Sequence, residues 1–178
     1  YASSFCIYNN NLIKIGGTPN NVSNTVYMFS FNNINWNEFI YNDNNSTKKV
    51  AIKGEKLRNM HSNRQNCRCI ASKLHKKIFV AGGLHSSNSR TLEYYDFNTK
   101  TWHLLSAKTN FIHKRPSIWF DDFDEILFLM SSTSNTNISI EYIDIKNPKK
   151  WIIWNGNSVL KFKEYYTNTL TEYTRKKD

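Results

Sequence analysis

Four residues of the chain could be assembled into a metal site, in the order His61-x5-Cys67-x-Cys69-x5-His75. Residues i and i+2 of a strand point to one face, so the two thiols would lie side by side with an imidazole on either flank. The spacing matches no common zinc pattern, and the better reading has the two cysteines as small buried residues on one strand with both histidines in flanking loops. Nucleophilic catalysis would need a Ser or Cys beside a His and an orienting carboxylate. His85-Ser86-Ser87 follows Gly82-Gly83, but no Gly-x-Ser-x-Gly elbow is present and the segment reads as a turn. Paired carboxylates occur only as Asp121-Asp122-x-Asp124-Glu125, which reads as a solvated acidic turn. With no Gly-rich phosphate loop either, the expectation is no enzyme activity, no cofactor and no metal.

The elements that hold these residues come from one domain of ordinary composition. The chain has 178 residues, 39% hydrophobic and 21% charged, with 15% aromatic against 6 Gly and 3 Pro, so it should fold rather than remain disordered. Its longest apolar run, Ile126 to Met130, is too short to span a bilayer, and no charged start followed by an apolar stretch marks a signal peptide. Three cysteines make no disulfide framework, which favours a reducing, cytoplasmic setting. Net charge is +10, from 24 Lys plus Arg and 14 Asp plus Glu, so long-range fields favour acidic partners. The lysines, among them Lys48, Lys49, Lys73, Lys76, Lys77, Lys149 and Lys150, are scattered rather than set beside base-stacking aromatics, so nucleic acid is not the expected partner.

Internal repetition decides the architecture. Leu12-Ile13-Lys14-Ile15-Gly16-Gly17 returns 66 residues later as Ile78-Phe79-Val80-Ala81-Gly82-Gly83, and 49 residues after that as Leu127-Phe128-Leu129-Met130-Ser131-Ser132. A second block follows each doublet: Val26 to Asn32, then Leu92-Glu93-Tyr94-Tyr95-Asp96-Phe97-Asn98, then Ile140-Glu141-Tyr142-Ile143-Asp144-Ile145. A tryptophan closes each unit 19 residues after its doublet, at Trp36, Trp102 and Trp151. The apolar stretches are short, rich in Ile, Val, Phe and Tyr, and bounded by Gly, Asn, Ser and Thr, which predicts strands joined by turns. Counting a further strand before each doublet, each unit holds about four strands, the content of one propeller blade.

The Gly-Gly doublets, the Glu-Tyr-Tyr-Asp at 93–96 and Trp102 beyond Asp96 resemble a kelch repeat, as does the upstream Met60-x-x-x-Arg64. The resemblance is strongest in the second unit, with Ser30 in place of the acidic residue in the first and Ser131-Ser132 in place of the glycines in the third. It implies an all-β fold of kelch-type β-propeller blades, each of four antiparallel strands, in an incomplete propeller of three blades plus a tail. The blades are expected at roughly 1–40, 63–106 and 114–154, with 41–62 an inter-blade loop and 155–178 a tail or the start of a fourth blade. The remaining blades are expected in a longer chain. Gly16, Gly17, Trp36, Gly82, Gly83, Tyr94, Tyr95, Asp96, Trp102, Tyr142, Asp144 and Trp151 are the structural repeat positions. The resemblance further implies a non-enzymatic protein-interaction module, a scaffold or ubiquitin-ligase substrate adaptor, whose loops bind another protein through an acidic peptide. Arg64, His85, Ser86, Arg90 and Arg115 are the candidate partner-binding residues, the arginines because a guanidinium pairs a carboxylate bidentately. The alternatives are a galactose-oxidase-like propeller enzyme or metal-binding protein, and a degenerate remnant of a propeller.

Overall fold

The structure, a computed structural model, describes residues 3–17, 22–33, 54–84, 89–132 and 138–154. They form three four-stranded antiparallel sheets, with one short 3-10 turn at Phe31–Asn33. The first sheet is β1 (Ser4–Tyr8), β2 (Asn11–Ile15), β3 (Val26–Ser30) and β4 (Glu55–Lys56), each paired with the next. The second is β5 (Arg68–Ser72), β6 (Lys77–Ala81), β7 (Leu92–Asp96) and β8 (Thr101–Leu104). The third is β9 (Ser117–Asp121), β10 (Ile126–Ser132), β11 (Ile138–Asp144) and β12 (Ile152–Ile153). β1 lies beside β5 and β5 beside β9, so the sheets are successive blades fanned from their first strands. Among the described residues the blades form an open arc, and no helix is long and apolar enough to cross a membrane.

Period-two alternation explains the packing. In β6, Ile78 and Val80 face the first blade while Phe79 and Ala81 face the third, and all four are fully buried. The middle strand of the middle blade therefore reads as an unbroken apolar run, as sheets covered on both faces do. The first joint packs Ile13, Ile15 and Val26 of blade one against Cys67, Cys69, Ile78, Val80, Tyr95 and Trp102 of blade two. The second repeats it, with Phe79, Ala81 and Leu92 against Phe120, Leu127, Leu129, Ile143 and Trp151.

The repeat positions have distinct duties. Asp96 and Asp144 end the third strands, and Oδ1 of each accepts the N–H two residues on, from Asn98 at 2.7 Å and Lys146 at 2.8 Å, which turns the chain into the fourth strand. Gly16 and Gly82 mark where the connector to the next blade crosses the end of the second strand. Their φ values are +60° and +70°, and a Cβ would stand 2.6 Å from the Arg64 carbonyl oxygen and 2.5 Å from that of His113. The neighbouring Gly17 and Gly83 donate their N–H groups to those same two carbonyls, at 3.1 and 2.9 Å. In the third blade Ser131-Ser132 instead continues β10, which is seven residues long where β2 and β6 are five.

One boundary differs from the sequence reading. The fourth strand of the first blade is Glu55–Lys56, inside the segment 41–62 expected to be an inter-blade loop, while Trp36 lies outside the described residues. Tyr27 pairs with Lys56 as Glu93 pairs with Leu104, which puts Gly54 at the register position of Trp102. The reason is steric. A Cβ on Gly54 would lie 2.6 Å from the ring of Phe29, so the ring of the third strand fills the space that an indole fills in the second blade.

Candidate functional site

Each joint is closed by a buried carboxylate. Glu93, second residue of β7, is fully buried; its Oε2 accepts the His61 N–H at 2.7 Å and its Oε1 the Ser62 N–H at 3.2 Å. Arg64, only 1% exposed, donates from Nε to Oε1 at 3.0 Å, and its Nη2 lies 2.9 Å from the same oxygen. The rest of the guanidinium reaches the Gly82 carbonyl at 2.7 Å, the Thr91 carbonyl at 3.3 Å and the Thr91 hydroxyl at 2.7 Å. Here the structure corrects the sequence reading: Arg64 is no partner-binding residue, because Glu93 draws it into the interior, where it ties the connector to the blade. The joint's carboxylates carry a sequence signal that the reading left unused, a Glu at the second position of the 92–98 block and its third-unit counterpart.

The second joint rebuilds this lock with other side chains. Glu141 accepts the backbone N–H groups of Asn110 at 2.7 Å and Phe111 at 2.8 Å, and the Asn110 side-chain amide at 2.8 Å. His113 stands where Arg64 stood, its Nε2 3.0 Å from Glu141 Oε1 and its Nδ1 2.7 Å from Ser131 Oγ. A Ser-His-Glu chain has the membership of a catalytic triad, but Ser131 is 7% exposed and His113 and Glu141 are 0%. No substrate can reach it, and its place in the repeat makes it a joint.

Burial by itself pushes the Glu141 carboxyl up, but hydrogen bonds from His113, Asn110 and Phe111 outweigh it and hold the carboxyl below its ordinary value. A carboxyl depressed in the folded state adds stability above its unfolded value, and that stability drains away as pH falls through the folded value. Denaturation midpoints followed from about pH 7 down to about pH 3 should therefore fall in acid, and Glu141→Gln should flatten that part of the profile.

The four residues with a metal-site spacing do not converge. Cys67 and Cys69 share one face of the strand region and are buried in the first joint, where burial pushes the Cys67 thiol up to about 12. Cys69 is raised as well, by its hydrogen bond with the Cys6 thiol and by burial, so both stay protonated rather than metal-ready. The His61 ring meets the Trp102 carbonyl at 2.9 Å, and the His75 ring meets the Asp122 carbonyl at 2.8 Å in the hairpin end of the sheets. Among the described residues, no three His, Cys, Asp or Glu side chains gather as a metal would require.

The described carboxylates, but not the cations, are segregated along the strand direction: exposed Lys73, Lys76, Lys100 and Lys146 share the hairpin end with them. The connectors and the starts of the inner strands share one end, which carries the exposed cations Arg58, Arg68, Arg90, Lys108, Lys114 and Arg115. Every described carboxylate other than the buried Glu93 and Glu141 lies elsewhere. Asp96, Asp121, Asp122, Asp124, Glu125 and Asp144 are in hairpins of the opposite end, and Glu55 is midway along a blade edge. Arg90 donates from Nε to the Thr109 carbonyl at 2.6 Å, which anchors its stem at this end. Of the candidate partner-binding residues, Arg90 and Arg115 are thus exposed at the cationic end, Arg64 is interior, and His85 and Ser86 lie outside the described residues.

Known proteins place this geometry. A kelch motif is recognised at residues 71–108, which holds most of the second blade. No curated protein matches the chain. Among solved structures, a fungal alcohol oxidase of the AA5 family in complex with copper is similar over 86% of this chain and 29% of its own, with a TM-score of 0.59 and 16% identity. The structure of YjhT is similar over 86% of this chain and 50% of its own, with a TM-score of 0.59 and 10% identity. The chain thus spans half or less of the length of these neighbours. Repeating joints, glycine crossings and neighbours of the same architecture converge on one conclusion: the chain is built of successive propeller-type blades, the second of which carries a kelch motif.

Proposed function

We propose that the chain is a non-enzymatic protein-interaction module whose connector end takes an acidic segment of another protein. The confinement of exposed carboxylates to the other end carries this reading: Lys114 and Arg115 on the second connector, and Arg90 on the loop hydrogen-bonded to that connector, are exposed at an end with no exposed carboxylate among the described residues. Such a field steers an acidic partner into place and rejects a basic one. Kelch motifs commonly serve protein interaction, and a scaffold or substrate-adaptor role in the cytoplasm is the broader setting of the proposal, in keeping with three free thiols. A second reading, an oxidase-like enzyme, draws on the copper-bound neighbour. Against it, the side chains best suited to catalysis, Ser131, His113 and Glu141, are spent inside a joint. Metal analysis of purified protein separates the two readings, since stoichiometric copper would favour the enzyme.

The test uses a fluorescent peptide of ten glutamates, with its glutamine counterpart as control. Binding should weaken steeply with salt, and replacing Arg90 and Arg115 together with Ala should lower affinity about tenfold or more. Equal binding of both peptides, or no change in the double variant, refutes the proposal.

A further inference from the structure

We propose that the half-buried Cys6 and the buried Cys69 are the two halves of a reversible disulfide that clamps blade one to blade two when glutathione is oxidised. Alternation along the inner strands sets them facing. Phe5 and Ile7 turn outward from β1 and are exposed, while Ser4, Cys6 and Tyr8 turn into the first joint, which Cys69 enters from β5. The two strands lie side by side and are fastened at this point: the Cys69 N–H donates to Ser4 Oγ at 3.0 Å, and the same oxygen lies 3.1 Å from Cys69 Sγ. Cys6 is the next residue along that face of β1, and its thiol meets the Cys69 thiol in a hydrogen bond. Two sulfurs already in contact across neighbouring strands can bond with little movement of the backbone.

Packing does not call for thiols here. The second joint is a repeat of the first, and the residues at these two register positions there are Ile70 and Ile118. The first joint therefore carries two redox-active groups where its repeat carries two aliphatic ones. Cys67 is a poorer partner for Cys69, because two positions along one extended run put the Cα atoms about 6.6 Å apart with the side chains parallel, near the upper limit that a disulfide spans.

The oxidant is glutathione disulfide. The thiolate of Cys6, the more exposed of the two, attacks one of its sulfurs, which forms a mixed disulfide and releases one glutathione thiolate. Cys69 gives its proton to solvent and attacks the Cys6 sulfur, so that the Cys6–Cys69 bond forms as the mixed disulfide breaks and the second glutathione leaves. The protein pair loses two electrons and glutathione disulfide gains them. Ser4 Oγ, held by the Cys69 N–H, is placed to donate its own proton to the Cys69 thiolate during this step. The hydrogen bond with Cys6 and burial keep the Cys69 thiol protonated at neutral pH, and burial persists once Cys6 is capped, so closing is the slow step and quickens as pH rises. The clamp responds to sustained oxidation rather than to a brief pulse.

The full chain, held at about pH 8 in a mixture of oxidised and reduced glutathione, then alkylated and digested with trypsin without reduction, tests the proposal. Cleavage after Arg68 puts Cys67 and Cys69 on different peptides, so the map identifies the bond. The expected product joins the peptide ending at Lys14 to residues 69–73, arises on a monomer, and is released by dithiothreitol. Because the link encloses most of blade one and the first connector, the oxidised chain should unfold at a urea midpoint about 1 M above that of the reduced chain. Cys6→Ser, at the half-buried position, should keep the far-ultraviolet circular dichroism of the parent and show one midpoint with or without oxidant. A bond from Cys6 to Cys67, a bond between chains, glutathione left on Cys6 with no internal bond, or a chain that keeps all its thiols free overturns the proposal. So does an oxidised form no more resistant to urea than the reduced one, which would mean that the bond clamps nothing.

Discussion

Replacing Arg64 with Ala should cost about 3–5 kcal/mol of stability, because it leaves Glu93 charged, buried and short of its cation. That is a large share of the roughly 5–15 kcal/mol that holds a domain folded. The distribution of contacts decides which partner matters more. Glu93 also accepts the N–H groups of His61 and Ser62, and Arg64 also donates to the Gly82 and Thr91 carbonyls and the Thr91 hydroxyl. Each side chain is a hub, so removing either orphans several buried groups in addition to its ionic partner. Arg64→Lys should recover only part of the loss, since an ammonium cannot fork to the carboxylate and the carbonyls at once. In a double-mutant cycle with Glu93→Gln, read by urea denaturation, the coupling should exceed about 1 kcal/mol. Additive single effects would mean that the pair does not act as one lock.

The same residue shows where sequence reading stops. Arg64 looked like a surface cation because spacing reports charge and not burial. What buries it is a carboxylate 29 residues further on, a contact that no local pattern announces. The glycine doublets were legible because a crossing carbonyl 2.5 or 2.6 Å from a would-be Cβ tolerates little else. The three-blade order followed from them, and Asp96 and Asp144 were legible because a turn needs a short acceptor at its start. The fourth strand of blade one was misplaced for the opposite reason. An indole 19 residues after the doublet looked like the marker, whereas the space opposite Phe29 is kept open by Gly54, and a residue that works by having no side chain leaves no periodic signal. His113 escaped notice because it does the work of Arg64 with different chemistry. Only the aligned positions of Asn110, Phe111 and His113 with His61, Ser62 and Arg64, 49 residues earlier, disclose it.

Trp102→Ala should be comparably severe, about 3–5 kcal/mol, but for reasons of volume rather than charge. The indole is 6% exposed in the first joint, its ring centroid 5.4 Å from that of Tyr95, which in turn meets Phe97 edge-on at 5.1 Å. Its Nε1 donates to the Arg58 carbonyl at 2.8 Å, so one side chain both fills the joint and fastens the connector that carries Arg64. Trp102→Phe separates the two contributions: it keeps most of the apolar area but leaves the Arg58 carbonyl without this donor, at a cost of about 1–3 kcal/mol including the lost volume. The equivalent Trp151, 5% exposed, donates to the Ala107 carbonyl at 3.3 Å, a longer bond, so Trp151→Phe should cost less than Trp102→Phe. Urea midpoints of Trp102→Ala, Trp102→Phe, Trp151→Ala and Trp151→Phe at constant m would measure this ordering. If both phenylalanine variants matched their alanine counterparts, the indole N–H and not ring volume would be holding the connector.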